Sequence, residues 1–273
     1  MPELPEVEVT RLGLANALCQ RSINEVIIRQ TELRWSIPKE LPTLLQKATI
    51  SGLARRGKYL LLQLHQTPQQ IIIHLGMSGH LRLLSQWQTP QKHDHIDLEL
   101  DNQHILRYTD PRRFGCWLLG NAPIEDHPLL SHLGPEPLQT AFNASYLWHI
   151  TRNRTIAIKN LIMQQSVVVG IGNIYASEIL FNSGIRPDRP SHSLTLDECD
   201  NLVKASQSVL TRAIEVGGTS LRDFFSADGK PGYFSLSLAV YNRHNQKCLQ
   251  CNSLLQLAKI NQRQSVFCPK CQL

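Results

Sequence analysis

Apolar and polar positions follow different patterns in the two halves of the chain. After an N-terminal helix predicted over Pro5–Leu18, short apolar runs between turn residues are typical of β-strands. The pattern predicts a strand-rich domain after this helix, either two packed sheets or a flattened barrel. The predicted strands are Ile23–Arg29, Tyr59–Leu64, Ile71–Leu75, His80–Leu84, Ile96–Leu100, Ile105–Tyr108 and Cys116–Leu119.

The second half of the chain has a helical pattern. The strand pattern stops in the proline-containing segment Gly120–Pro137, which we expect to separate two domains. Asn173–Ser183 is predicted to form a helix that stops at Gly184. The capping box Thr195-x-x-Glu198 then opens a longer helix with a regular apolar face. The second half is therefore predicted to be a mainly helical domain.

The excess positive charge is concentrated at the C-terminal end. The formal net charge is +6 and the pI is about 9.0. Gly229–Leu273 contains six Lys or Arg residues and no Asp or Glu, and this accounts for the whole excess. Such a block suits a polyanion such as nucleic acid, although a solvated charged tail would have the same composition.

The sequence shows the pattern of neither a transmembrane helix nor a secretion signal. No apolar stretch approaches the roughly 18 uninterrupted residues of a transmembrane helix. The N-terminus lacks the basic and then apolar pattern of a signal peptide. We therefore expect an intracellular, cytoplasmic protein.

Four of the seven cysteines have the spacing of a metal site. Cys248-x2-Cys251 and Cys268-x2-Cys271 are separated by sixteen residues, which fits a hairpin that brings both pairs together. Four thiolates suit one structural Zn²⁺ and leave no open position for catalysis. A pair of disulfides is the alternative, but reducing conditions inside a cell disfavour it. The other three, Cys19, Cys116 and Cys199, are expected to be buried thiols.

The first residues could supply a nucleophile. A small residue after Met1 normally permits removal of the methionine, which would leave Pro2 with a free secondary amine. An α-amine has a pKa of about 7.7–8.0, so much of it is neutral near pH 7 and can form an iminium with a carbonyl-type carbon. Glu3 and Glu6 would place carboxylates beside it. An ordinary helix start, with proline and acids in the first turn, is the alternative explanation.

Seven motifs, of which these first residues are one, follow one another along the chain. They are Pro2-Glu3-Leu4-Pro5-Glu6, Arg56-Gly57-Lys58-Tyr59, His74-Leu75-Gly76-Met77-Ser78-Gly79, Lys92-His93-Asp94-His95, Asp110-Pro111-Arg112-Arg113-Phe114-Gly115, Gly170-Ile171-Gly172-Asn173-Ile174-Tyr175-Ala176 and Asp228-Gly229-Lys230-Pro231-Gly232-Tyr233-Phe234. Together with the four-cysteine hairpin, they resemble the bacterial formamidopyrimidine-DNA glycosylase family. The resemblance implies an α+β multidomain fold. An N-terminal helix and β-sandwich (1–120) and a linker (121–137) would precede a helix-two-turn-helix domain (138–235) and a zinc-finger hairpin (239–273).

The resemblance also implies a bifunctional DNA glycosylase and abasic-site lyase of base excision repair. Its substrate would be double-stranded DNA with an oxidised purine, 8-oxoguanine or a formamidopyrimidine, opposite cytosine. Pro2 would attack C1′ of the flipped nucleotide, Glu3 would protonate the sugar-ring oxygen, and Glu6 would support them. Successive β- and δ-eliminations would then cut the strand. Lys58 would donate a proton in the first, and Arg263 would act in the second as a phosphate clamp, since a guanidinium stays protonated.

Other residues match positions of the family that contact DNA. Met77, Arg112 and Phe114 correspond to residues that fill the gap left by a flipped nucleotide, and Arg112 would bond the unpaired cytosine. Residues 219–230 correspond to a loop that closes over the purine. The remaining matches to DNA-contacting positions are His74, His93, Arg154, Lys159 and Asn173. We expect such an enzyme to act as a monomer.

Two alternative functions remain open from the sequence. An endonuclease VIII-like glycosylase for oxidised pyrimidines would use the same chemistry, and a non-catalytic zinc-finger protein would only bind DNA. Individual residues also have simpler explanations: Lys58 as a solvated cation, and Met77 and Phe114 as core residues.

Three positions depart from the usual pattern of the family. Asn252 replaces a glycine after the second cysteine, and asparagine tolerates the left-handed conformation that such a turn uses. Gln262 replaces a glycine before Arg263, which puts the direction of that arginine in question. Gln164 stands where many members have aspartate, and the sequence suggests no consequence.

Overall fold

The computed structural model describes residues 2–218 and 238–273. The chain divides into two compact units: Met1–Ser131 with Val216–Ser235, and His132–Glu215 with Leu236–Leu273. The loop predicted to close over the purine, residues 219–230, lies outside the described residues.

Helix α1, Leu4–Leu18, begins one residue earlier than predicted because Glu3 and Glu6 form a reciprocal capping box. The backbone N–H of Glu3 donates to Glu6 Oε2 at 2.8 Å. Such bonds give partners to backbone donors that the first turn leaves unpaired. Burying each apolar side chain of this helix contributes about 1.5–3 kcal/mol. The buried apolar residues include Leu4, Val7, Leu14 and Leu18.

Eight strands form two antiparallel four-stranded sheets in the first unit, with the orders β1-β6-β7-β5 and β2-β3-β4-β8. The alternating apolar residues of both sheets join one core, which includes Tyr108 and Trp117. The predicted helix followed by two packed sheets is therefore confirmed. The strands are β1 (Ile23–Ile28), β2 (Ile50–Arg56), β3 (Tyr59–Leu64), β4 (Gln70–His74), β5 (His80–Leu84), β6 (Asp94–Leu100), β7 (Ile105–Thr109) and β8 (Cys116–Gly120).

Two elements of this unit were not predicted, and one expected burial is wrong. Strand β2 alternates weakly because it contains Gly52 and ends in two arginines, and it is stabilised by pairing with β3 along most of its length. Helix α2, Leu41–Leu45, is too short for a periodic signal. Cys19 is exposed rather than buried because α1 ends there and Gln20 turns the chain with a φ of 64°. Cys116 and Cys199 are buried as expected.

The second unit is helical and ends in a β-hairpin, as predicted. Helices α5 and α6 agree with the expected segments, whereas α3 and α4 were missed because they are short. Asn143 caps α3 by accepting the Tyr146 N–H at 2.9 Å. The elements are α3 (Ala144–Thr151), α4 (Ile158–Ile162), α5 (Asn173–Asn182), α6 (Leu196–Glu215), β9 (Gln256–Ile260) and β10 (Arg263–Phe267).

The capping box predicted for α6 is present. The Thr195 N–H donates to Glu198 Oε2 at 2.9 Å, and the Glu198 N–H donates to Thr195 Oγ1 at 3.2 Å. This 20-residue helix is strongly amphipathic. Within residues 2–218 and 238–273, no helix has both the length and the hydropathy needed to cross a bilayer.

Candidate active site and nucleic-acid interface

Two carboxylates lie at the N-terminus of α1, beside Pro2. Pro2 is buried, and Glu3 and Glu6 are only 2% and 1% exposed. Their reciprocal hydrogen bonds hold Glu3 in an extended conformation directly before the helix. The positive end of the helix dipole stabilises negative charge at this position. The first residues therefore form an ordered, acidic and sheltered group rather than a frayed terminus.

Lys58 lies in a two-residue turn that is tied to α1. The turn joins β2 to β3, and Gly57 has the left-handed φ of 55° that glycine favours. Arg55 donates to the Gly57 carbonyl at 3.1 Å and to Glu8 Oε2 of α1 at 2.7 Å. Lys58 is 8% exposed, so the explanation of this residue as a solvated cation is wrong. Glu8 and Arg55 thus link α1, which begins two residues after Pro2, to the turn that contains Lys58.

Glu8 is an anionic centre between two arginines. Arg11 binds its carboxylate through Nε and Nη2, with a shortest distance of 2.6 Å, and Arg55 binds it at 2.7 Å. Burial opposes ionisation, but the hydrogen bonds from Arg11 and Arg55 hold the pKa of Glu8 below its usual value. The link between α1 and the Lys58 turn is therefore ionic over the ordinary pH range.

His74 is a neutral hydrogen-bond donor at the end of β4. Burial, with the charges of Lys58 and Arg34, lowers the pKa of His74 to about 4. Its Nδ1 accepts the Gly76 N–H at 3.0 Å, so the proton of the neutral ring is on Nε2. A neutral imidazole with an Nε2–H can donate to a phosphate oxygen without changing its protonation state.

We expect the folded protein to lose stability between pH 6.5 and pH 4 partly through His74. The pKa is lower in the folded state than the ordinary 6.5, so the folded form binds fewer protons in this range. The contribution of His74 to the free energy of unfolding is complete above pH 6.5 and decreases as the pH falls towards 4. The decrease between pH 7 and pH 5 is at most about 2 kcal/mol. Urea unfolding at both values measures it. The loss should be smaller in His74→Gln, and an equal loss in the variant would contradict the assignment.

Two exposed loops are fastened together by one buried carboxylate. Asp110 accepts the Ser78 hydroxyl at 2.8 Å from the first loop and the Gly115 N–H at 2.8 Å from the second. The backbones approach so closely that a Cβ on Gly76 would lie 2.4 Å from the Phe114 carbonyl carbon. The loops Gly76–Gly79 and Asp110–Gly115 therefore form one rigid surface feature.

The fastened loops expose the predicted gap-filling residues. Met77 is 38% exposed and Phe114 is 44% exposed, so ordinary core packing does not account for either. Arg112 is exposed, and its guanidinium lies 4.8 Å from the centre of the Phe114 ring. Each side chain stands at a loop tip where it could enter a nucleic-acid duplex.

His93 lies beside a buried ionic cluster in the sheet. Arg107 donates to both oxygens of Asp97, at 2.8 and 2.7 Å, and to Asp94 at 3.3 Å. The same guanidinium binds the Gln88 carbonyl at 2.9 Å, which holds the segment before His93 against the sheet. His93 itself is half-buried, and its ring lies at a steep angle to that of His95, with 6.3 Å between the ring centres.

In the second unit, Lys159 is an internal residue rather than a surface cation. It is 1% exposed, and its Nζ donates to Ser177 Oγ at 2.9 Å and Ser265 Oγ at 2.8 Å. A third bond, of 3.3 Å, goes to the Gln264 carbonyl. Lys159 therefore ties α4 to α5 and to the β10 strand that begins with Arg263.

Asn173 and Arg154 differ in their burial and in their hydrogen bonds. Asn173 is the first residue of α5, and its Nδ2 donates weakly to the Gln264 carbonyl at 3.5 Å. Its Oδ1 is buried and has no hydrogen-bond partner among the described residues. Arg154 is exposed on the loop after α3. A phosphate accepts hydrogen bonds, so the weakly bonded Nδ2 group of Asn173 at this helix N-terminus could donate to one, whereas the Oδ1 acceptor could not.

Arg263 begins β10, directly after a strained turn. Asn261 and Gln262 connect Ile260 to Arg263, and both have positive φ values, 45° and 62°. Two such residues fit a type I′ hairpin turn, which favours Asn-Gly. The hairpin is therefore formed despite the departure at Gln262, and Arg263 is exposed, with Nη1 3.7 Å from the Met163 sulfur.

Gln262→Gly is expected to stabilise the hairpin by about 1 kcal/mol, because glycine adopts the left-handed conformation without the penalty of a Cβ. Hydrogen exchange of the β10 amides would measure the gain. Asn261→Gly is the matched control and should change exchange much less, since asparagine already tolerates this conformation. Equal effects of the two substitutions would contradict this account of the strain.

The four C-terminal cysteines converge on one point. Their Sγ atoms all lie within 4.8 Å of one another. The Cys248–Cys271 and Cys251–Cys268 sulfur distances are 3.8 and 3.4 Å, far longer than a disulfide of about 2.05 Å. Four thiolates about 2.3 Å from one Zn²⁺ would stand about 3.8 Å apart, so the set fits a metal. Hydrogen bonds from Ser253 lower the pKa of Cys251 to about 6, which favours the thiolate form that binds a metal. Asn252 adopts the expected left-handed conformation, with a φ of 63°.

Two family models cover most of the chain. Residues 1–117 match the formamidopyrimidine-DNA glycosylase N-terminal domain, and residues 133–225 match the H2TH domain of the same enzymes. The formamidopyrimidine-DNA glycosylase of Hydrogenovibrio crunogenus is 52% identical over 272 residues, covering 100% of this chain and 96% of the relative. The Proteus mirabilis enzyme is 50% identical over 100% of this chain and 98% of its own length. The chain belongs to the formamidopyrimidine-DNA glycosylase family.

Solved structures of the formamidopyrimidine-DNA glycosylase family have the same fold. A mutant of Lactococcus lactis Fpg in complex with Fapy-dG-containing DNA has a TM-score of 0.92 at 32% identity, over 99% of both chains. MutM (Fpg) of Thermus thermophilus has a TM-score of 0.88 at 34% identity, over 99% of this chain and 98% of its own. The predicted family, the α+β multidomain fold class and the enzyme class, a DNA glycosylase of base excision repair, are confirmed.

The residues that support this candidate site have weak or no signals in the sequence. Asp110 was recognised only as part of a motif, and Glu8, Arg55 and Arg107 were not singled out. An acid directly before a proline-containing turn is a signal that could have indicated Asp110, because such a carboxylate often accepts backbone N–H groups of the turn. Nothing in the sequence pairs Glu8 with Arg55, which lies 47 positions away.

Proposed function

We propose that this protein removes oxidised purines from duplex DNA through a covalent intermediate on Pro2 and then cleaves the abasic strand. The observation that carries the proposal is the ordered terminus, in which Pro2 is followed by the buried carboxylates of Glu3 and Glu6. Their burial in a fixed capping box suits catalysis, because a preorganised acid needs no rearrangement when charge develops.

The proposed reaction begins with the Pro2 amine, after removal of Met1. The amine attacks C1′ of the flipped nucleotide and the bond to the base breaks, with the base leaving as an anion that takes a proton from solvent. The Glu3 carboxylate accepts the proton that the amine loses and gives it to the sugar-ring oxygen as the ring opens. The resulting iminium withdraws electrons and acidifies the C2′ proton. Its loss permits departure of the 3′ phosphate, and a second elimination releases the 5′ phosphate.

Cationic residues serve the two eliminations in this proposal. Lys58, held by the turn that Arg55 and Glu8 fasten to α1, is the proton donor of the first. Arg263, exposed at the start of β10, binds the phosphate that leaves in the second. Glu6 supports the site by accepting the Glu3 N–H.

The proposed DNA contacts fall into two groups. Met77 and Phe114 occupy the space of the flipped nucleotide, and Arg112 binds the cytosine left without a partner. His74, His93, Arg154 and Asn173 are proposed to contact the sugar–phosphate backbone, for which an exposed or incompletely paired donor is needed. The burial of Lys159 favours an indirect role, through the strand that carries Arg263.

Relatives support the choice of substrate. Lactococcus lactis Fpg is described in complexes with DNA containing Fapy-dG and with DNA containing an abasic site. The fastened loops that expose Met77 and Phe114 also favour the purine enzyme over an endonuclease VIII-like one. We further propose that the protein acts as a monomer in the bacterial cytoplasm, where the chromosome lies.

Borohydride trapping tests the proposed function. Wild-type protein should form a covalent adduct with 8-oxoguanine duplex, much less with thymine-glycol duplex, and none with undamaged DNA. Lack of any adduct would favour a protein that only binds DNA. A preference for thymine glycol would favour the endonuclease VIII-like alternative.

We also propose one structural Zn²⁺ per chain, held by Cys248, Cys251, Cys268 and Cys271. A metal that closes this hairpin would hold its backbone in place and take no part in proton transfer.

Zinc removal by a chelator is expected to weaken DNA binding at least about tenfold while the sandwich stays folded, because the four ligands belong to the second unit only. Metal analysis should find one zinc per chain before treatment, and circular dichroism should report the remaining fold. Cys268→Ser should have the same effect. Cys19→Ser, at an exposed cysteine outside the cluster, is the matched control. Loss of the whole fold on chelation would contradict the prediction.

A further inference from the structure

We propose that Arg34 and Trp35 form a second arginine–aromatic contact with the DNA backbone, next to the contact made by Arg112 and Phe114. The inference rests on the proposed function and extends it to a surface that none of the family motifs includes. The ligand is the phosphodiester and deoxyribose adjacent to the base step that Phe114 opens.

The first support is the attachment of Arg34 to the Phe114 loop. The backbone N–H of Arg34 donates to the carbonyl of Gly115 at 3.1 Å. Gly115 directly follows Phe114 and is itself held by Asp110 at 2.8 Å. The segment between β1 and α2 therefore presents Arg34 within one hydrogen bond of the loop that carries the proposed wedge.

The second support is the order of the segment that carries the pair. The Ile37 N–H donates to the Thr31 carbonyl at 2.8 Å, and the Ser36 hydroxyl donates to Glu32 Oε2 at 2.8 Å. Ile37 is only 5% exposed and anchors the segment in the core. Arg34 is thus held on a folded loop, which reduces the entropy lost when it binds a ligand.

The third support is the geometry of the pair itself. The Arg34 guanidinium lies 4.6 Å from the centre of the Trp35 ring, close to the 4.8 Å between Arg112 and Phe114. Both members of the pair are exposed, and Trp35 is 39% exposed. Two similar stacks therefore flank one backbone hydrogen bond at the surface.

The charge of Arg34 is available to a ligand. No carboxylate among the described residues forms an ion pair with Arg34. Its charge instead acts on His74, where it contributes to the lowered pKa together with burial and Lys58. An exposed arginine without an acidic partner keeps its whole charge for a phosphate.

These features fit a phosphodiester. A guanidinium stacked on an aromatic ring keeps its planar donors directed outward, and two parallel N–H groups match the oxygens of one phosphate. The Trp35 ring supplies an apolar face for the adjoining sugar. Because Arg34 is attached next to Phe114, the contact forms only when the wedge is seated in the duplex.

The test compares Arg34→Gln with Arg21→Gln as the matched control. Arg21 is also exposed in the first unit, pairs with Asp101 at 3.8 Å, and lies beyond the far end of α1. That helix is about 22 Å long, so Arg21 is remote from the terminus that carries Pro2. Affinity is measured by fluorescence anisotropy for a duplex with a tetrahydrofuran abasic analogue, over a range of KCl concentrations.

Arg34→Gln is expected to bind about tenfold more weakly at low salt, the loss of one charge-assisted contact. The slope of log Kd against log salt should decrease by about 1. Arg21→Gln should stay within about twofold of wild type. Arg21→Gln should leave adduct formation unchanged, whereas Arg34→Gln should need about tenfold more protein to reach half-maximal adduct, in line with its weaker binding.

A methylphosphonate scan locates the partner. Neutralising one phosphate beside the lesion should weaken wild-type binding and have no further effect on Arg34→Gln. Arg34→Lys should keep the salt slope but not the full affinity, because it retains the charge and loses the planar fork.

Three results would count against the proposal. Equal behaviour of Arg34→Gln and Arg21→Gln would overturn it, while wild-type adduct formation would leave the proposed function intact. Failure of Arg34→Gln to fold by circular dichroism would also overturn it, since the role would then be structural. A wild-type protein with neither lesion preference nor adduct would remove both proposals together.

Discussion

Protein that retains Met1 is expected to form no borohydride-trapped adduct with damaged DNA and to lose at least about 10³-fold of its strand-cutting rate. In that form the Pro2 nitrogen belongs to a peptide bond and has no lone pair available for attack on C1′. Acetylation of the Pro2 amine should have the same effect. Intact-mass spectrometry of each sample shows whether the terminus is free.

The control for this experiment restores the terminus in the same molecule. A removable leader placed before Pro2 should block the adduct, and its proteolytic removal should recover the full rate. Pro2→Gly is a weaker test because glycine still offers a terminal amine, so partial adduct formation is expected. Full-speed cutting by protein that retains Met1 would exclude the amine as the nucleophile.

The second large effect is expected from Glu3→Gln. Base excision should decrease about 10²- to 10⁴-fold, the usual contribution of a positioned acid, while DNA affinity changes no more than about threefold. Glutamine has nearly the same shape and can still accept a backbone N–H within the capping box, but it has no proton to give. Single-turnover excision and anisotropy measure the two quantities separately.

Glu6→Gln is the matched control because Glu6 is equally buried and belongs to the same capping box. It should lower excision by about tenfold or less, since its carboxylate holds the Glu3 N–H rather than donating a proton. Glu3→Gln should also affect cleavage at a preformed abasic site less than excision of a base. Parallel losses of affinity and excision in Glu3→Gln would argue for a purely structural carboxylate.

The parts of the fold that were predictable are those where neighbouring residues carry the information. Strands β3 and β4 are mainly aliphatic runs with turns at both ends. The spacing of the four cysteines likewise predicts a hairpin that brings them together around one tetrahedral site. Strand β2 was missed because Gly52 and its terminal arginines hide its alternation. It forms because β3 supplies partners such as Leu62 opposite Leu53.

Burial of charged site residues could not be predicted, because their partners are distant in the sequence. Lys159 is sheltered by Ser265, which lies 106 positions away. Lys58 is sheltered in a turn whose geometry depends on Arg55 and on Glu8 of the first helix. A lysine with such partners has the same local sequence as a solvated one, so only the folded structure distinguishes them.

The exposure of Met77 and Phe114 also depends on contacts between residues that are far apart in the sequence. Their flanking glycines suggested loop tips, yet the shared support from Asp110 connects positions 78 and 115 and appears only in three dimensions. Gly76 allows the two loops to approach closely, since a Cβ there would lie 2.4 Å from the Phe114 carbonyl carbon. A Cβ on Gly115 would lie 1.9 Å from the Tyr108 hydroxyl, so only glycine fits there as well.

The shared carboxylate of Asp110 has a consequence for how damage is sensed. Because Ser78 and Gly115 bind the same side chain, the proposed insertion of the Met77 thioether and the Phe114 ring into DNA would move both loops together. On that proposal, the interrogation of each base pair would be an all-or-none event with a single energetic threshold. Discrimination between sound and damaged DNA would depend on how readily a base pair yields to both side chains at once.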